Sequence, residues 1–331
     1  MGISALPAGP IWVAAMTAAA VLALWGAIPA GRGRPVRIVV LVRALLPVRI
    51  LRSRSGQLDV ASFLFSKMLA GTMIGWALVS GSWWATMTER ATASLPVLPV
   101  RTPPLAAELV MTVALFVAYE GVYWLNHWLS HRIGWLWAFH KVHHTAESLS
   151  LLTNFRVHPV DTIVFYNMAA AVEGVTAGLL KHLMGPSAAE ISVSGTNLLV
   201  FLTSIILNYL QHSHIWLATT GRWSRWILSP AHHQLHHSTD PRHHNRNLGS
   251  ALALFDWLGG TLLEPEARRQ PLRFGVDGQA HNPHGFHGAV LRPFGEAMRA
   301  VRRARRDHAP PVDAGARPPV NMPLWSSRAP L

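Results

Sequence analysis

Eight histidines fall into three short clusters. The first two read His127-Trp-Leu-Ser-His131 and, after eight residues, His140-Lys-Val-His143-His144. The third, about ninety residues later, reads His233-Gln-Leu-His236-His237. Spacings of three and four put side chains on one face of a helix. Each cluster can therefore aim its imidazoles at one point. Neutral imidazole is the commonest protein ligand for first-row metals. Eight of them are more than one mononuclear site can use, whereas two metals about 4 Å apart, each with several imidazoles, account for them.

The remaining residues narrow the chemistry. The chain has no cysteine, so disulfides, thiolate metal sites and cysteine nucleophiles are excluded. There is no His-Glu-x-x-His, the signature of a zinc protease. A structural zinc is satisfied by four ligands, and a bis-histidine haem needs only isolated histidines facing one another across helices. Iron suits O2 activation, but an all-nitrogen shell also suits manganese, cobalt or zinc, so spacing leaves the metal open. Of 19 histidines, 15 lie between His127 and His244, and this concentration carries the information. The isolated His182, His214, His281, His284, His287 and His308 are expected to be structural.

The elements that must position these clusters are apolar helices. The 331 residues are 50% hydrophobic and only 14% charged, with fourteen tryptophans, against about a quarter charged in soluble domains. The expected architecture is all-α: a multi-span integral membrane bundle of about four to five spans, with a cytoplasmic, histidine-rich helical cap. Residues 11–30 are apolar and uncharged, with no positive segment before them, and predict a transmembrane anchor rather than a signal peptide. Further spans are expected at 60–81, interrupted by Lys67, and at 105–126. A helical hairpin is expected from 160–181 and 188–211, turning at Gly185-Pro186. Residues 83–104 are expected to form a loop. Seven arginines between Arg32 and Arg54 mark a cytoplasmic segment by the positive-inside rule, and counting spans from it puts all three clusters on the cytoplasmic side. Three parts are expected: residues 1–104, anchor helices and an arginine-rich loop; 105–265, the di-metal domain; 266–331, a basic, partly disordered tail with Arg299, Arg302, Arg303, Arg305 and Arg306 on a surface helix. The net charge of +13 flanks apolar spans, which favours anionic headgroups over nucleic acid.

The three clusters resemble the histidine boxes of the fatty acid hydroxylase superfamily, which includes sterol desaturases and methyl oxidases. Ser229-Pro-Ala-His-His233-Gln-Leu-His-His237-Ser-Thr-Asp-Pro resembles its third box. Asn245-Arg-Asn-Leu-Gly249 with Phe255-Asp256-Trp-Leu-Gly-Gly-Thr261 resembles the continuation, and Arg156-Val-His158-Pro a segment of bacterial members. The resemblance covers about residues 105–265. It implies a di-iron centre ligated by His127, His131, His140, His143, His144, His233, His236 and His237, with His212 added as a further family histidine. Some members carry another histidine where this chain has Asn208. His158 and His244 are candidates as ligands or as groups behind the ligands, and His232 and His243 are expected to be bystanders. Ligating imidazoles usually donate their second N–H to an acceptor; Asp161, Asp240 and Asp256 are the nearby carboxylates, with Glu120, Asn126, Tyr123 and Asn208 as further candidates.

The activity implied is a monooxygenase reaction: two iron ions, with O2 as co-substrate, hydroxylate or desaturate a C–H bond of a sterol, hopanoid, fatty acyl, ether-lipid or carotenoid substrate. No soluble electron-transfer domain is legible at either end, so an external ferredoxin, cytochrome or reductase is the expected donor. The expected place is a bacterial inner membrane. The competing readings are a non-catalytic membrane metal-binding or transport protein, and a bis-histidine haem electron-transfer protein.

Overall fold

A computed structural model of the chain describes residues 47–72, 78–96, 103–193, 195–276 and 283–307. It is mostly helical. Helices α1 (Arg54–Thr72), α2 (Gly81–Thr92), α3 (Pro104–Arg132), α4 (Gly134–His144) and α5 (Pro159–Met184) come first. A small hairpin, β1 (Ser192–Val193) antiparallel to β2 (Thr196–Asn197), precedes α6 (Leu198–Gln211). Helices α7 (Pro230–His236), α8 (Leu254–Leu258) and α9 (Phe286–Asp307) complete the order.

Two described helices, α3 and α5, are long and apolar enough to cross a membrane. At 1.5 Å per residue they reach about 43 and 39 Å, against about 30 Å of hydrocarbon. Each opens with proline at the start of its first turn, where a fixed φ and a missing N–H cost nothing. Both leave apolar side chains uncovered: Leu109 is 50% exposed on α3 and Leu183 57% on α5. Water would penalise such faces and lipid does not.

The other expected spans fared differently. Residues 11–30 lie outside the described residues, as do His281 and His308. Of the span expected at 60–81, the part up to Thr72 belongs to α1, which begins at Arg54, and residues 73–77 lie outside the described residues. Within α1, Asp59 is buried in an ion pair with Arg156. The loop expected at 83–104 is corrected. Residues 81–92 are α2, begun by the Ser80 side chain accepting from Trp83 N. α2 packs on α5 where Gly174 and Gly178 leave room: a Cβ on Gly178 would meet the Ala85 carbonyl oxygen at 2.6 Å. That small-x-x-x-small spacing lets two backbones approach closely. The expected helix from 188 starts instead at Leu198. Asn197 caps it by accepting from Leu199 and Val200 N, while its own amide donates to the Thr112 carbonyl of α3.

The helix expected to carry Arg299, Arg302, Arg303, Arg305 and Arg306 is α9, and residues 308–331 lie outside the described residues. α9 packs along α4, with Lys141 Nζ donating to Glu296 Oε2 at 2.5 Å and the Phe139 and Phe294 rings edge to face.

Candidate metal centre

The site forms where helix ends meet. His127 and His131 occupy the last two turns of α3, which stops at the extended residue Ile133. α4 starts at once and carries His140, His143 and His144 in its last two turns. α6 contains a widened π-helical turn at Ser204–Asn208 and ends immediately before His212. α7 is set by Pro230 in its first turn and by Ser229, whose hydroxyl and backbone engage the His232 side chain. That cap aligns His233, His236 and His237.

All nine expected ligands converge, in two groups. His127, His131, His140, His144 and His236 form one; His143, His212, His233 and His237 form the other. Within each group the donor atoms lie within 4.8 Å of one another. The rings also pack across the two groups, with the His144 and His237 centroids 4.5 Å apart.

The nitrogens fit a cation better than they fit one another. His212 Nε2 lies 2.9 Å from His143 Nε2, 2.9 Å from His233 Nε2 and 3.1 Å from His237 Nε2. One lone pair cannot serve three donors. Metal–nitrogen bonds of about 2.1 Å put neighbouring donors on one metal about 3.0–3.4 Å apart. In the five-histidine group, Nε2 of His127, His131 and His236 are buried with no protein partner. His140 and His144 bring their Nε2 atoms to 3.3 Å.

The opposite ring nitrogens show why the rings point as they do. Nδ1 of His127 donates to the Leu248 carbonyl at 2.8 Å, and Nδ1 of His236 to the Arg246 carbonyl at 2.8 Å. Nδ1 of His140 faces Asp161 Oδ2 at 2.9 Å, and Nδ1 of His212 faces Asn154 Oδ1 at 2.9 Å. An acceptor at Nδ1 puts the proton there and leaves the Nε2 lone pair for a ligand. Burial, then the neighbouring imidazoles, holds His143, His144, His233 and His237 well below the ordinary histidine range. Burial likewise pushes His212 and His236 down to about 3. These rings are neutral, the form that binds metal.

The Leu248 and Arg246 carbonyls are themselves held. Asn245 and Asn247 take left-handed φ of 58° and 55°, a conformation asparagine tolerates better than most residues. Asp256 accepts from Leu248 N and Gly249 N, both at 2.7 Å, and from Thr261 Oγ1 at 2.6 Å. Glu120 Oε2, deep in α3, accepts from Ala251 N and Leu252 N. The Asn245–Gly249 and Phe255–Thr261 segments thus act at one remove, fixing two backbone oxygens.

Other expected residues fall elsewhere. His158 joins neither group: its Nδ1 accepts from Val160 N, capping α5, and its Nε2 donates to the Val290 carbonyl. His244 lines a cavity of about 330 Å³ that also borders His131, His144, His236 and His237. Asp240 pairs with Arg242 at the surface and caps the turn after it. Asn208 donates to Ser250 Oγ. The Asn126 side-chain oxygen is buried without a protein partner, and the Tyr123 ring meets His127 edge on. His232 caps α7, and His243 stays outside both groups.

Sequence reasoning missed Asn154 and what fixes it. Asn154 sits in the 3-10 turn Leu151–Phe155. Below it, Arg156 Nε donates to Asp59 Oδ1 at 2.7 Å, both side chains fully buried. Thr153 Oγ1 donates to Asp59 Oδ2 at 2.8 Å, and Arg156 reaches Thr145 Oγ1 directly after His144. A lone Asp59 beside an apolar run was the one available signal.

The comparisons with known proteins agree with this geometry. Residues 112–261 match the family model described as fatty acid hydroxylase. Ornithine lipid hydroxylase OlsE of Rhizobium tropici is 27% identical over 272 residues, covering 78% of this chain and 73% of that protein. Alkylglycerol monooxygenase of Danio rerio is 28% identical over 149 residues, 43% of this chain and 28% of that protein. Cholesterol 25-hydroxylase-like protein 2 of Danio rerio is 27% identical over 176 residues, 51% of this chain and 55% of that protein. No solved structure matches the chain.

Proposed function

The chain belongs to the fatty acid hydroxylase superfamily through residues 112–261, and from that premise we propose that it is a membrane-bound, di-iron, O2-dependent monooxygenase that hydroxylates a C–H bond of a membrane lipid. The observation that carries the reading is the convergence of nine imidazoles, without a thiol or a carboxylate among the donor atoms. His127, His131, His140, His144 and His236 would hold one iron, and His143, His212, His233 and His237 the other. When bound, the pair supplies O2 activation and the oxidation of an unactivated C–H bond. In the balanced reaction one oxygen atom enters the C–H bond. The other leaves as water, using two electrons and two protons from an external ferredoxin, cytochrome or reductase.

The protein's own contribution is position and protonation state. Asp161, Asn154 and the carbonyls of Leu248 and Arg246 fix ring orientation. Burial keeps the rings neutral, with Nε2 lone pairs free for a metal. The cavity of about 330 Å³, lined by Trp137, Ser238, Thr239 and Asn245 beside the histidines, suits an amphipathic lipid that presents one carbon near its polar end. A relative matching 78% of this chain is described as an ornithine lipid hydroxylase, and a headgroup-bearing lipid is the substrate class we favour over a sterol. Hydroxylation is favoured over desaturation because the relatives' names are those of hydroxylases and monooxygenases. The proposed setting is a bacterial inner membrane with the site at the cytoplasmic face, by the charge of the Arg32–Arg54 segment.

A haem reading is disfavoured because four imidazoles meeting at one point leave no room for a porphyrin between two of them. The test is lipid analysis of cells expressing wild type or His143→Ala under isotopically heavy O2. A lipid that gains one heavy oxygen only with wild type supports the proposal. Identical lipids in both cultures would refute it, given equal amounts of folded protein.

A further inference from the structure

The histidine chemistry leaves α9 unused. One stripe of α9 is packed on α4: Pro293 and Ala297 are buried, and a Cβ on Gly134 would lie 3.3 Å from the Ala300 Cβ. Beside that stripe, Leu291, Phe294 and Met298 are 51%, 50% and 57% exposed, and Val301 continues the row. Their spacing of three, four and three is one helix face. Next round the helix come Arg292, Arg299, Arg303 and Arg306, all exposed, at spacings of seven, four and three. The whole helix carries six arginines against Glu296 and Asp307, and Glu296 is already paired with Lys141.

An uncovered apolar stripe bordered by cations is the pattern of a helix lying in an anionic lipid surface. The position agrees. α4 follows directly from the end of α3, and α5 begins at the same end of the bundle, so α9 sits where both long helices would leave the bilayer. That level bears other marks of an interface: Arg132 lies over the Trp128 ring at 5.3 Å, and Trp226 is exposed beside the Arg225–Trp257 pair.

We propose that α9 lies in the headgroup layer of an anionic membrane, with Leu291, Phe294, Met298 and Val301 among the lipid chains and its arginines on lipid phosphates, and that it supports α4 from the membrane side. This rests on α3 and α5 crossing the bilayer and is independent of the metal's identity.

The chain has no cysteine, so one introduced thiol is unique. The full chain would carry a fluorophore at Met298→Cys, or at Leu179→Cys on α5 as reference. It would be reconstituted into phosphatidylcholine vesicles with or without phosphatidylglycerol. A lipid-borne quencher and aqueous iodide report depth. The expected result is a position-298 label reached by the lipid quencher in phosphatidylglycerol vesicles and much less in neutral ones. Arg299→Gln, Arg303→Gln and Arg306→Gln together should lower that lipid preference on the order of a hundredfold, at about fivefold per charge. A position-298 label open to iodide in both vesicles, with the position-179 label in the chains, overturns the proposal alone. A position-179 label open to iodide removes the membrane premise and the proposal with it. Shielding at 298 that ignores phosphatidylglycerol, with energy transfer between labelled chains, assigns the stripe to a second copy and also overturns it.

Discussion

The five imidazoles around His127 and the four around His212 are held by different scaffolds. In the first group, three rings rest on acceptors: Asp161 in the first turn of α5, and two carbonyls in a segment pinned through Asp256 and Glu120. In the second, only His212 has such an acceptor, Asn154, while Nδ1 of His143, His233 and His237 has no protein partner. The first group borders the cavity through His131, His144 and His236; the second reaches it through His237. A prearranged donor set loses less freedom on binding. The five-histidine group is therefore expected to bind a metal more tightly at equilibrium, and the four-histidine group to gain more order from one.

The largest effect should come from the ligands. His236→Ala and His212→Ala should each bring product formation to background, and metal analysis should find about one metal fewer per chain in each. Next is Asp59→Ala, which leaves Arg156 charged and buried and should cost about 3–5 kcal/mol of stability, read by thermal unfolding. If the scaffolds are separate, it should also loosen the four-histidine metal first. Asp256→Ala should do the converse, weakening the five-histidine site by about 10–100-fold in a competition titration with a chelator. Equal loss at both sites from either variant would mean that the groups share one scaffold. Asn154→Ala is milder, about tenfold at the four-histidine site, with Asp in its place restoring an acceptor.

Acidity should act in one direction. The buried rings bind fewer protons folded than unfolded, so their contribution is complete above the ordinary histidine value of 6.5 and is lost as pH falls toward about 3, the value for His212 and His236. Metal release followed by absorbance during an acid titration should show that sign, and the weaker site should empty at the higher pH.

The contrast also marks what a sequence displays. Eight of the nine imidazoles are legible because spacings of three and four act within a single helix, and their clustering needs no knowledge of the fold; His212, alone just after the end of α6, is reached only through the family resemblance. Leu248 and Arg246 are not legible, because they contribute carbonyls, which every residue has. Asn154 and Asp59 act across 58 and 97 residues, on His212 and Arg156 respectively, and no local pattern announces such pairings. His158 misled for a related reason: its neighbours look like a motif, yet its nitrogens serve a helix cap and the Val290 carbonyl of α9. In sequence α2 reads as part of a short, lightly charged, proline-containing loop. It is made helical by Ser80 and by the room that two glycines leave on α5.

The most direct test is the metal content and O2 uptake of detergent-purified protein, wild type beside His236→Ala, after anaerobic loading with ferrous iron. The account predicts about two irons per wild-type chain, about one in the variant, and lipid-dependent O2 uptake under a chemical reductant by wild type alone. Wild-type protein that is folded, retains no stoichiometric metal and consumes no O2 would contradict it.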